Sequence, residues 1–300
     1  MSATIRQGEV DLAQLVGRIR REFPDLAFAQ ATWNDTGEDH AVVLLDDRWV
    51  FRFPRTPEAA ALGAAERRLL AALGAASPLA VPRYDHVSRA GDFGGYRMIA
   101  GQPLTEAAFA ALPRVAQERV LGQIGDFLRV LHALPPELVA GGPDAEGAAG
   151  FANRYAERRQ SLSGALGPDL LGVADRFYQA LPSAVATRRE AVIHRDFSED
   201  HILLHPREGR LAGVIDFTDA ALGDPAFDFA SLWAHGRWAP ERAARTYGAG
   251  AGAADMLARS LWWFTRYRVD QVWWSVSGVR AYDVPRIRRE LEGLFATLGV

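Results

Sequence analysis

The sequence predicts an α+β chain in which a small strand-rich portion precedes a larger, mainly helical one. Three observations carry this expectation. Residues 1 to 100 hold short strand-like stretches broken by turn signals, with an amphipathic helix before and after them. From residue 101 onward, apolar residues recur at helical spacing over long windows. Set within that second portion is a run of another kind, VIHRDFSEDHILLHPREGRLAGVIDF from Val192 to Phe217, in which strand-like pieces alternate with polar loops. The units are therefore 1–100 and 101–300.

Residues 10 to 22 read as an amphipathic helix. Val42 to Leu45, the turn at Asp46 and Asp47, and Arg48 to Phe53 then form a hairpin. In its second strand Trp49, Phe51 and Phe53 share one face, while Arg48, Val50 and Arg52 share the other. Leu62, Glu66, Leu69, Leu70 and Leu73 fall at helical spacing, which puts Glu66 on an apolar stripe. A charge there needs a partner; Arg52 is the natural one and Arg55, just past Pro54, the competitor.

Gly94 to Leu104 reads as a strand running into the junction of the two units. Val115 to Ala133 gives a helix with Leu121, Ile124, Phe127, Leu128 and Leu131 inward and His132 at its end, a structural histidine. A Gly/Pro-rich connection over 135–150 leads to a further helix from Phe151 to Leu181. Asp224 before Pro225 has the form of a helix N-cap with proline at the first helical position. Trp262, Trp263, Tyr267, Trp273 and Trp274 stand at helical spacing and are expected in the core before a binding surface.

Composition narrows the function classes. Of 300 residues 49% are hydrophobic, enough for a substantial core. There is no cysteine, which excludes disulfides and thiolate metal sites. There is no lysine either, so any grip on phosphate must come from arginine or backbone amides. The net charge of −3 is mixed along the chain, so no nucleic-acid surface is expected. No run is long enough to span a membrane and no apolar leader is present, so a cytoplasmic protein is expected.

The Val192 to Phe217 run holds the chemistry. Asp196 lies on a loop between the strands Ala191 to Ile193 and Ile202 to Leu204, and Asp216 ends the strand Leu211 to Ile215. His201, five residues past Asp196, is a second side chain able to bind a metal. Phosphoryl transfer needs such a set: a carboxylate to take a hydroxyl proton, opposite a cation that neutralises phosphate oxygens. Two other readings use the same residues. His194, Asp196 and His201 could hold a metal-bound water in a hydrolase, and the missing lysine would suit a nucleotide-binding scaffold without catalysis.

HRD, four residues, His201, and IDF fifteen residues further on together resemble the motif of the aminoglycoside phosphotransferase family, whose fold is similar to that of the protein kinases. The family more often has HGD and Asn; His at the second position resembles the branch acting on the 2''-hydroxyl of aminoglycosides, and the macrolide kinases. The resemblance implies a two-lobed protein-kinase-like fold with a small antiparallel-sheet N-lobe and a larger, mainly helical C-lobe. It implies Asp196 as catalytic base and His201 and Asp216 as Mg²⁺ ligands. Val50 and Arg52 repeat the spacing of the Ala and Lys in the kinase V-A-I-K strand, with Glu66 pairing Arg52. Gly37, in TGEDH, takes the place of the phosphate-covering loop. Arg97, Met98 and Ile99 would present backbone groups to the base of ATP or GTP, with Tyr96 behind it crowding adenine more than guanine. Asp228 matches the last carboxylate of a bracing GDP-x-x-D element.

The implied acceptor is a small antibiotic-like molecule, an aminoglycoside first and a macrolide second. A polycation would want carboxylates, for which Glu199, Asp200, Asp270 and Asp283 are candidates, with Asp228 and Asp219 nearby. A macrolide would favour aromatic faces such as Trp273.

Overall fold

The structure, a computed structural model, describes residues 11–34, 40–139, 147–186 and 190–300. The first helix, α1 (Leu12–Glu22), is capped by Asp11, whose side chain accepts from the Ala13 amide at 2.9 Å. Its buried Leu15 and Ile19 join Phe51, Phe53 and Phe93 in a core of their own. That core covers one face of a five-stranded antiparallel sheet made of β1 (Ala31–Asn34), β2 (His40–Leu45), β3 (Trp49–Pro54), β4 (Tyr84–Val87) and β5 (Gly94–Arg97), in the order β1-β2-β3-β5-β4. Asp46 and Asp47 turn the β2–β3 hairpin with φ of 51° and 49°, the left-handed pair such a tight turn demands. The register sets Val42 opposite Arg52 and Leu45 opposite Trp49. β1 and β4 add edges that the sequence reading lacked.

Helix α2 (Pro57–Ala76) starts at the Thr56 cap with Pro57 at its first position. It buries Glu66, Leu69, Leu70 and Leu73, whereas Leu62, expected on the same stripe, is 36% exposed at its edge. Leu69, Leu70 and Leu73 belong to the large core of the second portion, and so bind the sheet to the helices. The chain crosses between them at Gly101, where a Cβ would stand 2.8 Å from that of Leu203; only glycine allows so close a passage.

The second portion packs α4 (Arg114–Leu131), α5 (Gly147–Ala184), α6 (Trp238–Tyr247), α7 (Ala253–Val276) and α8 (Val284–Leu298), after the short α3 (Glu106–Ala110). Leu121, Ile124, Phe127, Leu128 and Leu131 of α4 are fully buried, as their spacing predicts. α5 is broken at Gly167, which takes φ 75° and ψ 165° before Pro168. Short strands frame the site: β6 (Gln102–Pro103), β8 (Ile202–Leu204) and β9 (Leu211–Val214) form one sheet, and β7 (Ala191–Ile193) pairs with β10 (Ala221–Gly223) in another. Asp224 caps a 3-10 helix, Pro225–His235, accepting from the Ala226 amide at 3.1 Å. Among the described residues no helix is long and apolar enough to cross a membrane.

Candidate active site

β3 and α2 build one wall of the site. Arg52, on the face of β3 away from the phenylalanines, is 8% exposed. Its Nη1 donates to Glu66 Oε1 at 2.8 Å, and its Nη2 reaches Thr218 Oγ1 at 2.8 Å and Asp216 Oδ1 at 3.1 Å. The Tyr84 hydroxyl donates to the second oxygen of Glu66 at 3.2 Å. Burial pushes the Glu66 carboxyl up, and Arg52 and the Tyr84 hydroxyl oppose that rise. Burial likewise works against the Arg52 charge, but Glu66 and its other neighbours hold it protonated above its ordinary range. The strand-to-helix ion pair is thus present in the geometry, with a second carboxylate, Asp216 from the other lobe, attached to it. Burial and the adjacent Arg52 drop the His40 imidazole to about 3, so it is neutral and can accept from Arg52 Nη2 at 3.3 Å through Nδ1. Arg55 is buried but does not line the cavity beside Arg52.

The opposite wall is the loop after β7. Asp228 is 1% exposed and holds this loop in place: its carboxylate accepts the His194 amide at 2.7 Å, the Arg195 amide at 3.0 Å and His132 Nε2 at 3.0 Å. Arg195 and Asp216 take φ of 68° and 62°; the only other non-glycine residues so placed among those described are the two turn aspartates. Residues whose backbone is held in this sparsely populated region on both sides of a cleft mark it as a place where position outweighs local backbone preference.

His201 Nδ1 lies 2.9 Å from the Asp196 carbonyl oxygen, which can only accept, so this nitrogen carries the proton. The lone pair of Nε2 therefore faces Asp216 Oδ2, 3.7 Å away. Burial alone would raise the Asp216 carboxyl, but Arg52, then His201, outweigh it and bring it down to about 2. An ionised carboxylate oxygen and an imidazole lone pair in that relation fit a divalent cation that takes its remaining ligands from water and phosphate, as Mg²⁺ does. Among the described residues no group of three His, Asp or Glu side chains gathers to hold a metal by itself. His194 points elsewhere: it is fully buried, and its Nε2 donates to the Ile215 carbonyl at 3.0 Å.

Two cavities meet here. The first, of about 520 Å³, is lined by His40, Val50, Arg52, Tyr96, His201 and Asp216, with Met98, Ile99 and Gly101 at the crossing between lobes. The second, of about 460 Å³, is lined by Asp196, Tyr267 and Trp274 among others, and Asp219 borders both. Val50, Tyr96, Met98 and Ile99 thus fall together as the sequence implied. Two details differ. The Arg97 side chain turns outward on β5 and lies over Trp49 at 4.7 Å, outside the lining of the first cavity, and the Met98 amide donates to the Arg48 carbonyl at 2.8 Å, so that amide is not free for a base. Gly37 lies outside the described residues.

The acceptor-side candidates are largely not where a polycation would need them. Glu199 accepts the Glu106 amide at the start of α3, and Asp283 caps α8, accepting the Arg286 amide at 3.0 Å. Asp228 braces the loop from within. Asp270 is taken by Arg266 at 2.6 Å and Arg158 at 3.4 Å. Asp200 pairs with Arg280 and lines the first cavity, not the second. Trp273 lies under Arg158 at 3.7 Å, and its neighbour Trp274 is the one on the second cavity. Sequence reasoning passed over His40, Tyr84, Thr218, Arg154 and Arg266.

Over residues 33–262 the chain matches the phosphotransferase enzyme family. It is 26% identical over 230 residues to the uncharacterized protein YcbJ of Bacillus subtilis (strain 168), a match covering 73% of this chain and 74% of that one. Its fold is similar to that of the GDP complex of wild-type aminoglycoside 2'-phosphotransferase-IIIa (TM-score 0.75, 24% identity, 96% of this chain and 99% of that one). It is also similar to the GDP and kanamycin complex of APH(2")-IIIa (TM-score 0.73, 25% identity, 95% and 99% covered). The apoenzyme of macrolide 2'-phosphotransferase MphH from Brachybacterium faecium superposes with a TM-score of 0.63 at 21% identity, over 95% and 98% of the two chains. The paired lobes, the arginine fixed between a helix and a strand end, and a family match spanning most of the chain lead to one conclusion: the chain belongs to the phosphotransferase enzyme family and is a small-molecule kinase with a kinase-like fold.

Proposed function

We propose that this enzyme moves the γ-phosphoryl group of a purine nucleoside triphosphate, held in the first cavity, to a hydroxyl of a small molecule held in the second. The observation that carries this is the placement of Asp196 on the second cavity and of Arg52, His201 and Asp216 on the first, with Asp219 on the border. Asp196, whose side chain is 47% exposed, takes the proton as the acceptor oxygen bonds to phosphorus, or orients that hydroxyl. The bond from phosphorus to the bridging oxygen breaks and the nucleoside diphosphate leaves. Arg52, held in place by Glu66 and Thr218, lies beside the phosphates. Asp216 and His201 would hold Mg²⁺, which when bound neutralises phosphate oxygens. We place the enzyme in the cytoplasm, where both nucleotides are supplied.

Tyr96, 6% exposed on the wall of the first cavity, narrows the space for an adenine, which supports GTP as a donor at least as good as ATP. Of the acceptors the resemblance suggests, an aminoglycoside would meet only Asp196 and Asp219 as carboxylates among the described residues of the second cavity. A hydrolase built on His194 has no support, since that ring is buried and bonded to backbone. The test is transfer of labelled γ-phosphate from ATP and from GTP, with Mg²⁺, to a panel of aminoglycosides, macrolides and other hydroxylated compounds. Transfer with GTP matching or exceeding ATP is expected. Strong ATP preference would remove the guanine reading, and nucleotide binding without transfer to any acceptor would leave a scaffold.

A further inference from the structure

Arg52 gives the first cavity its charge, but the hydrogens of its Nη2 are already taken. That nitrogen carries two, and three acceptors meet it: Thr218 Oγ1 at 2.8 Å, Asp216 Oδ1 at 3.1 Å and His40 Nδ1 at 3.3 Å. Nη1 is turned to Glu66. The chain has no lysine to add. A phosphate in this cavity therefore gains the charge of Arg52 but no hydrogen from Nη2, although its oxygens are strong acceptors.

His40 can supply a donor. It lies on the cavity face of β2 with Val42, and the register sets it opposite Pro54, two residues past the level of Val42 and Arg52 on the side away from Tyr96. With a base beside Tyr96 and phosphates running past Arg52, this is the end at which the terminal phosphates fall, about 7 Å further along the strand. The two ring nitrogens are distinct. A guanidinium only donates, so Nδ1, which faces Arg52, is the acceptor and Nε2 carries the proton. His40 is 5% exposed, and its Nε2 has no partner among the described residues, yet it is not one of the enclosed nitrogens left unpaired. It is therefore open, and on this face of the sheet the open space is the first cavity.

We propose that His40 Nε2 donates a hydrogen bond to a non-bridging oxygen of the β- or γ-phosphate, sharing with Arg52 the task that a lysine would perform alone. The proposal rests on the reading of the first cavity as the nucleotide site and adds a phosphate-positioning residue to it.

The two nitrogens can be replaced one at a time. An Asn amide falls near Nδ1 and a Gln amide near Nε2, so His40→Asn keeps an acceptor for Arg52 and loses the donor, whereas His40→Gln keeps the donor. Affinity is read by titrating the full chain, with Mg²⁺, with the mono-, di- and non-hydrolysable triphosphates of guanosine and adenosine. His40→Asn should weaken di- and triphosphate binding about tenfold or more and leave monophosphate binding unchanged. His40→Gln should retain most of the affinity, and His40→Leu, which removes both nitrogens, should bind no better than His40→Asn. Melting without nucleotide checks that each variant is folded. The reverse order, with His40→Asn like the unaltered protein and His40→Gln weakened, would make His40 a support for Arg52 alone and overturn the proposal. An equal loss for mono- and triphosphate would overturn it too. Nucleotide binding that none of the substitutions changes removes only this proposal, whereas no nucleotide binding by the unaltered chain brings down the reading of the cavity and the proposal with it.

Discussion

The two cavities that meet at Asp219 are of similar size but differ in how the chain makes them. The first takes its chemistry from short segments close in sequence or in strand register: Val50 and Arg52 on β3, Tyr96 directly opposite Val50 on β5, His201 and Asp216 on either side of one hairpin. The second takes its wall from α5, the loop after β7, the 3-10 helix and α7, over residues 151 to 274. Two of its arginines, Arg154 and Arg266, lie against the ring of Phe151, and Arg266 is paired with Asp270 at 2.6 Å. The difference separates two tasks. Handling a phosphoryl group needs a few groups in fixed relation, which a compact motif supplies. Choosing an acceptor needs only a surface of suitable charge and shape, which helices far apart in sequence can supply and alter without touching that motif.

Removing the carboxylate proposed to take the hydroxyl proton, on the second cavity, should have the largest effect. Asp196→Asn keeps the size of the side chain and removes its basicity, so transfer is expected to fall about 10²–10⁴-fold. Thermal stabilisation by nucleotide should be retained, because the donor cavity does not use this carboxylate. Near-normal turnover would mean that the proton is taken elsewhere and that the border between donor and acceptor sides is drawn in the wrong place.

The second test asks whether the donor cavity depends on its buried pair. Glu66→Ala leaves Arg52 buried with Asp216 and Thr218 as partners and strips Tyr84 of its acceptor. Breaking such a pair from one side costs about 3–5 kcal/mol, and the remaining carboxylate places this case near the lower end. Denaturant unfolding would measure it. A loss well under about 1 kcal/mol would mean the pair is no stronger than one on the surface. The fold should survive but grip nucleotide poorly, and acceptor discrimination measured at saturating nucleotide should be unchanged.

How far each cavity could be read from sequence follows the same division. The Asp46–Asp47 turn and the alternation of β3 placed Arg52 away from the aromatic core, and the stripe on α2 demanded a partner for Glu66; together they put the two side chains within reach. The same register puts His40 on the face of Arg52, since β2 pairs Val42 with Arg52 and His40 is two residues along. That was legible and went unread. Tyr84 was not legible, because its contact with Glu66 depends on β4 lying beside β5, a pairing with no local signal. On α7, helical spacing fixed the apolar stripe but not which edge of it faces a cavity. Neighbouring tryptophans differ by about 100° around a helix, and so Trp274 and not Trp273 lines the space. Arg154 and Arg266 look in sequence like solvated helix positions; their place on one cavity arises only where α5 and α7 approach over Phe151.

The smallest expected effect compares the ion pairs supporting each side. Arg52 and Glu66 are buried, whereas on the acceptor side Glu106, at the start of α3, is half-buried and clasped by Arg268 of α7 and Arg286 of α8, at 3.1 Å and through a short contact respectively. Burial would raise its carboxyl, but the hydrogen bonds from Arg286 and Arg268 prevail and hold it below its ordinary value. A carboxylate whose pKa is lower folded than unfolded adds stability in full above the unfolded value, and loses it as pH falls through the folded one. The stability difference between wild type and Glu106→Gln should therefore be constant near neutrality, shrink below about pH 4.5, and approach the neutral hydrogen-bonding difference in stronger acid. Solvent screening keeps it small, so melting curves at several pH values in low salt are the measurement. A difference that grew on acidification would mean the carboxyl is raised in the folded state. It would also mean that these ion pairs do not stabilise the junction of α3, α7 and α8.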